Sequence, residues 1–252
     1  MKHFIRAAGG AVLGLLAMAC GDGGFTPDPG VRTEDAEAVD LENLRILVTG
    51  EARVFPEAEG AAAAPASLTG MALTGEVAED GAFRITDVPV RDVHQGLAVG
   101  LVHDGLVRST TLVYDTAFTG TRPRTDIIDA NAWALPIAFV DQLGAAVGAP
   151  RLQGHTGDPA ATLASAGFVL GRVVDLNGQP VSGARVALSR AELADRVYYP
   201  SGDLTSVDTA GTAAHGLFLF VHSGAGVASF QLAVEGTDTY VPRNVDVGPG
   251  LG

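Results

Sequence analysis

From residue 44 onward, apolar and polar positions alternate in short blocks, and turn residues break the blocks at close intervals. Residues 44–48 are rich in branched apolar side chains, which suit a half-buried pleated surface. Residues 71–77 and 82–85 flank Asp80-Gly81, residues 96–102 and 106–114 flank Asp104-Gly105, and residues 168–175 and 181–188 flank Asn177-Gly178. Each dipeptide predicts a tight hairpin turn, because glycine tolerates the positive φ that such a loop demands. In 181–188, Ala184, Val186 and Leu188 alternate with Arg185 and Ala187, which predicts one dry face and one wet face. Residues 217–221 and 227–234 supply two more strands, and 240–247 closes the sheet. The alanine-rich run 57–66, interrupted by Pro65, reads as a loop.

The period changes once. After Pro136, in first-turn position, Ile137, Val140, Leu143, Gly144 and Val147 share one face at helical spacing, and Gly148 and Pro150 stop the helix. Asp158-Pro159 is expected to cap a second, shorter turn over 160–166, ended by Gly167. Trp133, the sole tryptophan, is expected to plug the junction before the first helix. The pattern therefore predicts a mainly β protein: two small antiparallel β-sandwiches, 43–135 and 167–252, joined by a short helical connector at 136–166.

The first forty residues obey different rules. Lys2 and Arg6 give a positive start, residues 11–16 form an apolar run too short to span a bilayer, and Ala17-Met18-Ala19 offers small residues for signal peptidase. Leu16-Ala17-Met18-Ala19-Cys20 resembles the lipobox of a bacterial lipoprotein signal, with Ala17 where that family usually has leucine. Ala17-Met18-Ala19 also suits ordinary secretion, which would leave Cys20 as a free thiol. Cys20 is the only cysteine, and an odd reactive cysteine in an oxidising compartment needs a reason. A thioether-linked diacylglycerol supplies one. The resemblance implies a signal peptide over 1–19, lipid attachment at Cys20, and a cell-envelope location at the outer membrane or cell surface. Residues 20–42, rich in Gly, Pro and acidic side chains, read as a flexible tether reaching roughly 25 Å on average.

Charge removes some partners. The formal net charge is −13, and after Lys2 every basic residue except histidine is arginine. Such a chain is not expected to bind nucleic acid or anionic head groups. With Cys20 committed, no disulfide or cysteine metal site is available. No later apolar run is long enough for a transmembrane helix.

The motif Gly171-x-Val173-x-Asp175-x-x-Gly178-x-Pro180-Val181-x-Gly183-Ala184-x-Val186-x-Leu188 resembles the opening of a carboxypeptidase regulatory-like domain, a transthyretin-type (prealbumin-like) β-sandwich. Asp208 to Gly211, the strand 217–221 and Gly236 to Tyr240 match its later landmarks, but residues 212–216 intervene where that family passes directly into its Phe strand. The resemblance covers about the last third of the chain and implies fold more than task, since one fold hosts many roles. Ile46-x-Val48-x-Gly50-x-Ala52 and Glu79-Asp80-Gly81-Ala82-Phe83-Arg84-Ile85 suggest a diverged copy of the same module in the first half.

Candidate chemistry is sparse. There is no Gly-x-Ser-x-Gly elbow and no His-x-His pair, and the tail lacks the Tyr-Arg-Gly-Ser of the purine-pathway hydrolases that share the transthyretin fold. His155 and Asp158 make a poor triad fragment, His215 and His222 a poor metal-ligand pair, and Asp195, Asp203 and Asp208 lack the spacing of a calcium loop. The expectation is a protein with no catalytic residues, metal or cofactor. Arg196, Tyr198 and Tyr199 read as an aromatic loop at a sandwich end, available to an envelope protein or glycan. The leading expectation is a non-catalytic anchored spacer or adhesion module. The alternative is a carbohydrate- or peptide-binding accessory of an extracellular enzyme.

Overall fold

A computed structural model describes residues 39–56, 67–70, 73–236 and 240–250. The expected signal segment, Cys20 and the tether up to residue 38 lie outside the described residues, as does the alanine-rich run 57–66. Residues 40–42, expected in the tether, belong to the folded unit that begins at Asp40. The Asp40 carboxylate accepts from the Asn43 amide at 2.7 Å, the Leu41 side chain packs on the first core, and Glu42 pairs with Arg122 at 3.0 Å.

The first half contains β1 (Arg45–Val54), β2 (Ser67–Gly70), β3 (Leu73–Glu76), β4 (Ala82–Pro89), β5 (Gly96–Val102), β6 (Leu106–Val107), β7 (Ser109–Asp115) and β8 (Ile127–Pro136). They form two sheets, β4-β1-β8-β6 and β3-β2-β5-β7. Alternate residues of each strand face the other sheet: Ile46, Val48 and Ala52 of β1, Phe83 and Ile85 of β4, Leu97, Val99 and Leu101 of β5, and Ala130, Ala132 and Ala134 of β8. Strand β8 was not visible in the sequence, because its inward residues are alanines and its outward ones include Asp129 and Asn131. It runs parallel to β1, whereas the other named strand pairs are antiparallel. The close fit explains the small residues, since a Cβ on Gly50 would collide with the Ala130 backbone.

The turn dipeptides make turns, but not always simple hairpins. Across Asp80-Gly81 only the bridge Val77–Phe83 forms, while β3 pairs with β2 and β4 pairs with β1. Across Asn177-Gly178 the one bridge is Val174–Pro180. Here the Asp175 carboxylate accepts from the Asn177 and Gln179 amides at 2.8 and 2.9 Å, and those bonds hold it below the ordinary carboxylate range. Only Asp104-Gly105 joins paired strands, β5 and β7, with β6 diverted to β8 in the other sheet. Beyond β6, side chains replace ladder bonds: the Trp133 amide donates to Thr111 Oγ1 at 2.8 Å, and Ser109 Oγ donates to the Trp133 carbonyl at 3.0 Å. The first sandwich is thus laced along both sides.

Short helices follow at α1 (Thr116–Thr119), α2 (Ile137–Val147), α3 (Ala149–Thr156) and α4 (Leu163–Ala166). Helix α2 ends at Val147 as its spacing predicts, but Pro150 does not terminate the helical segment. It sits in the first turn of α3, where a missing N–H costs nothing. Asp158 makes a local turn with the Ala160 amide, and α4 is capped instead by reciprocal bonds between Thr162 and Ser165.

The second half holds β9 (Phe168–Arg172), β10 (Val186–Leu188), β11 (Val197–Pro200), β12 (Val207–Asp208), β13 (Leu217–Val221), β14 (Ala228–Val234) and β15 (Arg243–Val247), in sheets β12-β11-β13-β9 and β10-β14-β15. Strand β13 is buried on both faces, which is why it reads Leu-Phe-Leu-Phe-Val without a polar break. Phe218 and Phe220 enter the core between the two sheets; Leu217, Leu219 and Val221 enter a separate core under α2, α3 and α4. That helical core also takes Phe55, Val107 and Leu135 from the first half. The buried Asp115 carboxylate ties the halves together. It accepts from the α1 amide of Ala117 at 2.8 Å and from the backbone and side-chain nitrogens of Asn244 at 3.1 and 3.0 Å.

The halves share one register feature. The first strand of each pairs antiparallel with a later strand so that a glycine stands opposite a phenylalanine: Gly50 opposite Phe83, Gly171 opposite Phe218. The Phe218 ring lies directly over Gly171, occupying the place a Cβ would need. In the first half, β8 adds to the far side of β1; among the described residues β9 has no such neighbour and forms the sheet edge.

Candidate functional site

The aromatic loop expected around Arg196 is not a loop. Residues 191–196 form a 3₁₀ turn and residues 197–200 form β11, hydrogen-bonded between β12 and β13. Successive side chains of a strand point to opposite faces, so the pleat separates the two tyrosines. Tyr199, 4 % exposed, enters the core between the sheets, where its hydroxyl accepts from the Val186 amide at 2.8 Å. Tyr198, 5 % exposed, faces the helical core. Neither ring is offered to a partner, and of the three expected binding residues Arg196 alone reaches the surface in part.

What the strand does create is a cluster over Tyr198. The Tyr198 hydroxyl and His155 Nε2, from the last turn of α3, share a hydrogen bond of 2.6 Å. The Arg151 guanidinium, one turn earlier on α3, lies 5.7 Å from the Tyr198 ring centroid while its Nη1 donates to the Val147 carbonyl at 3.1 Å. Arg196 Nη1 donates to the His155 carbonyl at 3.5 Å, a long bond at the end of α3, where a cation suits the helix dipole. Burial pushes the His155 pKa below its ordinary value; the Arg196 charge adds to that and Asp195 opposes it. Burial likewise raises the Tyr198 hydroxyl, with Arg151 and Arg196 opposing and Asp195 reinforcing. At neutral pH the pair is therefore a neutral imidazole against a neutral phenol. Nothing in the sequence marked His155 and Tyr198 as partners, since they lie far apart along the chain and meet only when α3 packs on β11.

The other candidates are occupied by structural bonds. His155 turns toward Tyr198, and Asp158 accepts from Ala160, so the two form no relay. His215 Nδ1 accepts from the Leu217 amide at 3.1 Å and its Nε2 bonds the Ser201 carbonyl at 3.0 Å. His222 is buried, with Nε2 3.0 Å from the Gly226 carbonyl. Asp203 accepts from Ser201 Oγ at 2.7 Å and from the Thr205 amide at 3.2 Å, which lowers its carboxyl pKa to about 2, while Asp208 accepts from the Ala210 amide at 2.8 Å. Among the described residues, no three His, Cys, Asp or Glu side chains gather as a metal-binding group, and no helix is long and apolar enough to cross a membrane. Cys20 lies outside the described residues.

No protein-family model matches the chain, and no curated protein matches it. The likeness of residues 171–188 to regulatory-like domains therefore rests on the motif residues themselves.

Proposed function

We propose that this protein is a lipid-anchored, non-catalytic component of a bacterial cell envelope, a spacer or adhesion-type module held by a diacylglyceryl group on Cys20. The observation that carries the reading is the sequence Met1–Cys20: a positive start, a short apolar run and small residues directly before the chain's only cysteine. Each buried methylene contributes about 0.8 kcal/mol, so two or three long acyl chains make a durable anchor. The nineteen residues 21–39 between Cys20 and the folded unit are of tether composition. The carboxypeptidase regulatory-like motif supports a transthyretin-type second sandwich, and the shared glycine–phenylalanine register supports a first sandwich derived from the same module. The test is intact mass and membrane fractionation of wild type beside Cys20→Ala in a bacterial host. Wild type alone is expected to gain diacylglycerol-sized mass and to sediment with membrane. A soluble, unlipidated wild type removes the anchor and leaves Cys20 a free thiol on a secreted protein.

One observation favours a second reading, an accessory that binds a glycan or peptide: Arg151 beside the Tyr198 ring and Arg196 on the His155 carbonyl gather two cations at one place. Retention of a glycan or peptide by the immobilised protein is the measurement that separates it from a passive spacer.

A further inference from the structure

The two halves present one strand edge in the same register, and among the described residues only one of those edges is filled. In β1 the Ala52 amide donates to the Gly81 carbonyl toward β4, and just past the strand the Phe55 amide donates to Ala134 of β8, at 2.8 and 2.9 Å. Residues 48, 50 and 52 therefore turn their backbone groups to β4, and Thr49 and Glu51 turn theirs to β8. In β9 the same alternation holds. The Val173 amide donates to the Gly216 carbonyl and the Gly167 carbonyl accepts from the His222 amide, each at 2.8 Å, so residues 167, 169, 171 and 173 face the β13 side. Phe168, Leu170 and Arg172 turn their N–H and C=O groups outward. Aligning Gly50 with Gly171 matches Val48 to Val169 and Glu51 to Arg172. The filled edge seals its strand: Val48, paired with β8, is 0 % exposed. Val169 and Leu170 are only partly buried, although Phe220 and Leu219 across the ladder are fully so. Strand β9 also lacks the devices that blunt an edge, since no proline, lysine or bulge interrupts Phe-Val-Leu-Gly-Arg.

We propose that the outer edge of β9 takes a β-strand from a different protein, an extended segment of small apolar residues with a carboxylate opposite Arg172. Strand β8 is the template, because it fills the matching edge of β1, running parallel with Ala130, Ala132 and Ala134 turned to the core. Carried over by the glycine register, the place of Ala130 falls opposite Gly171 and the place of Asn131 opposite Arg172. In the first half that place faces Glu51, where an uncharged asparagine avoids repulsion. At β9 the facing side chain is an exposed arginine, its guanidinium 5.3 Å from the Phe55 ring centroid, and an acidic residue complements it. Main-chain bonds give such a segment its affinity, and the side chains at alternate positions give it selectivity. The inference rests neither on the lipid anchor nor on Arg151 and Arg196, and its test is a separate measurement.

The probes are synthetic peptides with the sequence of residues 127–136, native or carrying Asn131→Asp or Asn131→Lys, titrated into the purified, isotope-labelled full chain and read by NMR at backbone amides. The Leu170 and Arg172 amides are expected to exchange readily in the free protein, then to shift saturably and gain protection as peptide is added. The Asn131→Asp peptide is expected to bind about two- to fivefold more tightly than the native one and the Asn131→Lys peptide more weakly, with the spread shrinking as salt rises. Arg172→Glu, at an exposed position, is expected to reverse the order of the two charged peptides and leave the unfolding midpoint unchanged. Arg172→Pro removes an N–H that makes no bond to β13, and is expected to weaken every peptide about tenfold. Leu170 and Arg172 amides already protected in the free protein would mean that this chain fills the edge itself. A concentration-dependent dimer lost in Arg172→Pro would mean that a second copy fills it. Either result overturns the proposal, as does the absence of saturable binding, or the same order of peptides in Arg172→Glu as in wild type.

Discussion

Replacing Tyr199 by Phe removes one oxygen from the core between the C-terminal sheets and tests the alternation of side chains along β11. The Val186 amide, in a residue 7 % exposed, would lose its acceptor and stay sealed from water. An orphaned buried donor costs about 1–3 kcal/mol, more than the net worth of the bond, because its desolvation is no longer offset. The Arg185 and Glu235 charges also act on this hydroxyl, so the upper part of that range is expected. Tyr198→Phe is the control on the adjacent residue. Its hydroxyl faces His155, which is half-buried and open to a replacing water, so about 0.5–1 kcal/mol is expected. Trp133, partly buried on the helical core, provides the fluorescence signal for urea unfolding. A loss near 2 kcal/mol corresponds to about 4–8 °C in the thermal midpoint of a domain this size. If Tyr199→Phe costs no more than Tyr198→Phe, the hydroxyl is not the acceptor for Val186 and the alternation of the two tyrosines is wrong.

Two further outcomes follow from the same packing. Gly171→Val is expected to lose about 1–3 kcal/mol in urea midpoint measurements, since the Phe218 ring occupies the added methyls' place; combining it with Phe218→Leu should recover part of the loss, and strict additivity would refute the contact. His155 is held below its ordinary value of 6.5 by burial and by Arg196. With a depressed folded value, the unfolded chain takes up the proton first, so stability is full above about 6.5 and declines as pH falls toward the folded value. The stability gap between wild type and His155→Gln should therefore narrow from about pH 8 to about pH 5, and a constant gap contradicts the burial of the imidazole.

Local chemistry carried a good deal of this fold. Alternation and branched residues located most strands, and Gly81, Gly105 and Gly178 take positive φ where their turns were expected. Helix α2 formed where periodicity placed it and buries Val140, Leu143 and Val147 of the expected face, but Ile137 is exposed and Phe139 takes its place in the core. What failed was non-local. Turn residues specify that the chain reverses, but not which sheet each arm joins, and at Asp80-Gly81 and Asn177-Gly178 the arms part. Alanine-rich β8 formed because β1 offered a close-fitting parallel neighbour at Gly50 and Ala52, a preference invisible in β8's own composition.

For the candidate site the division is sharper. By itself the sequence determined the single cysteine at position 20, the acidic balance and the absence of a nucleophile elbow. Only the tertiary structure decided the fate of Arg196, Tyr198 and Tyr199. A run of five residues with two tyrosines suits a loop or a strand equally well, and a partner strand on each side settled it as β11. The pleat then sent Tyr199 to one core and Tyr198 to the other, and the packing of α3 on that second core set His155 and Arg151 over Tyr198. Such a cluster is assembled by long-range burial, and no local spacing encodes it.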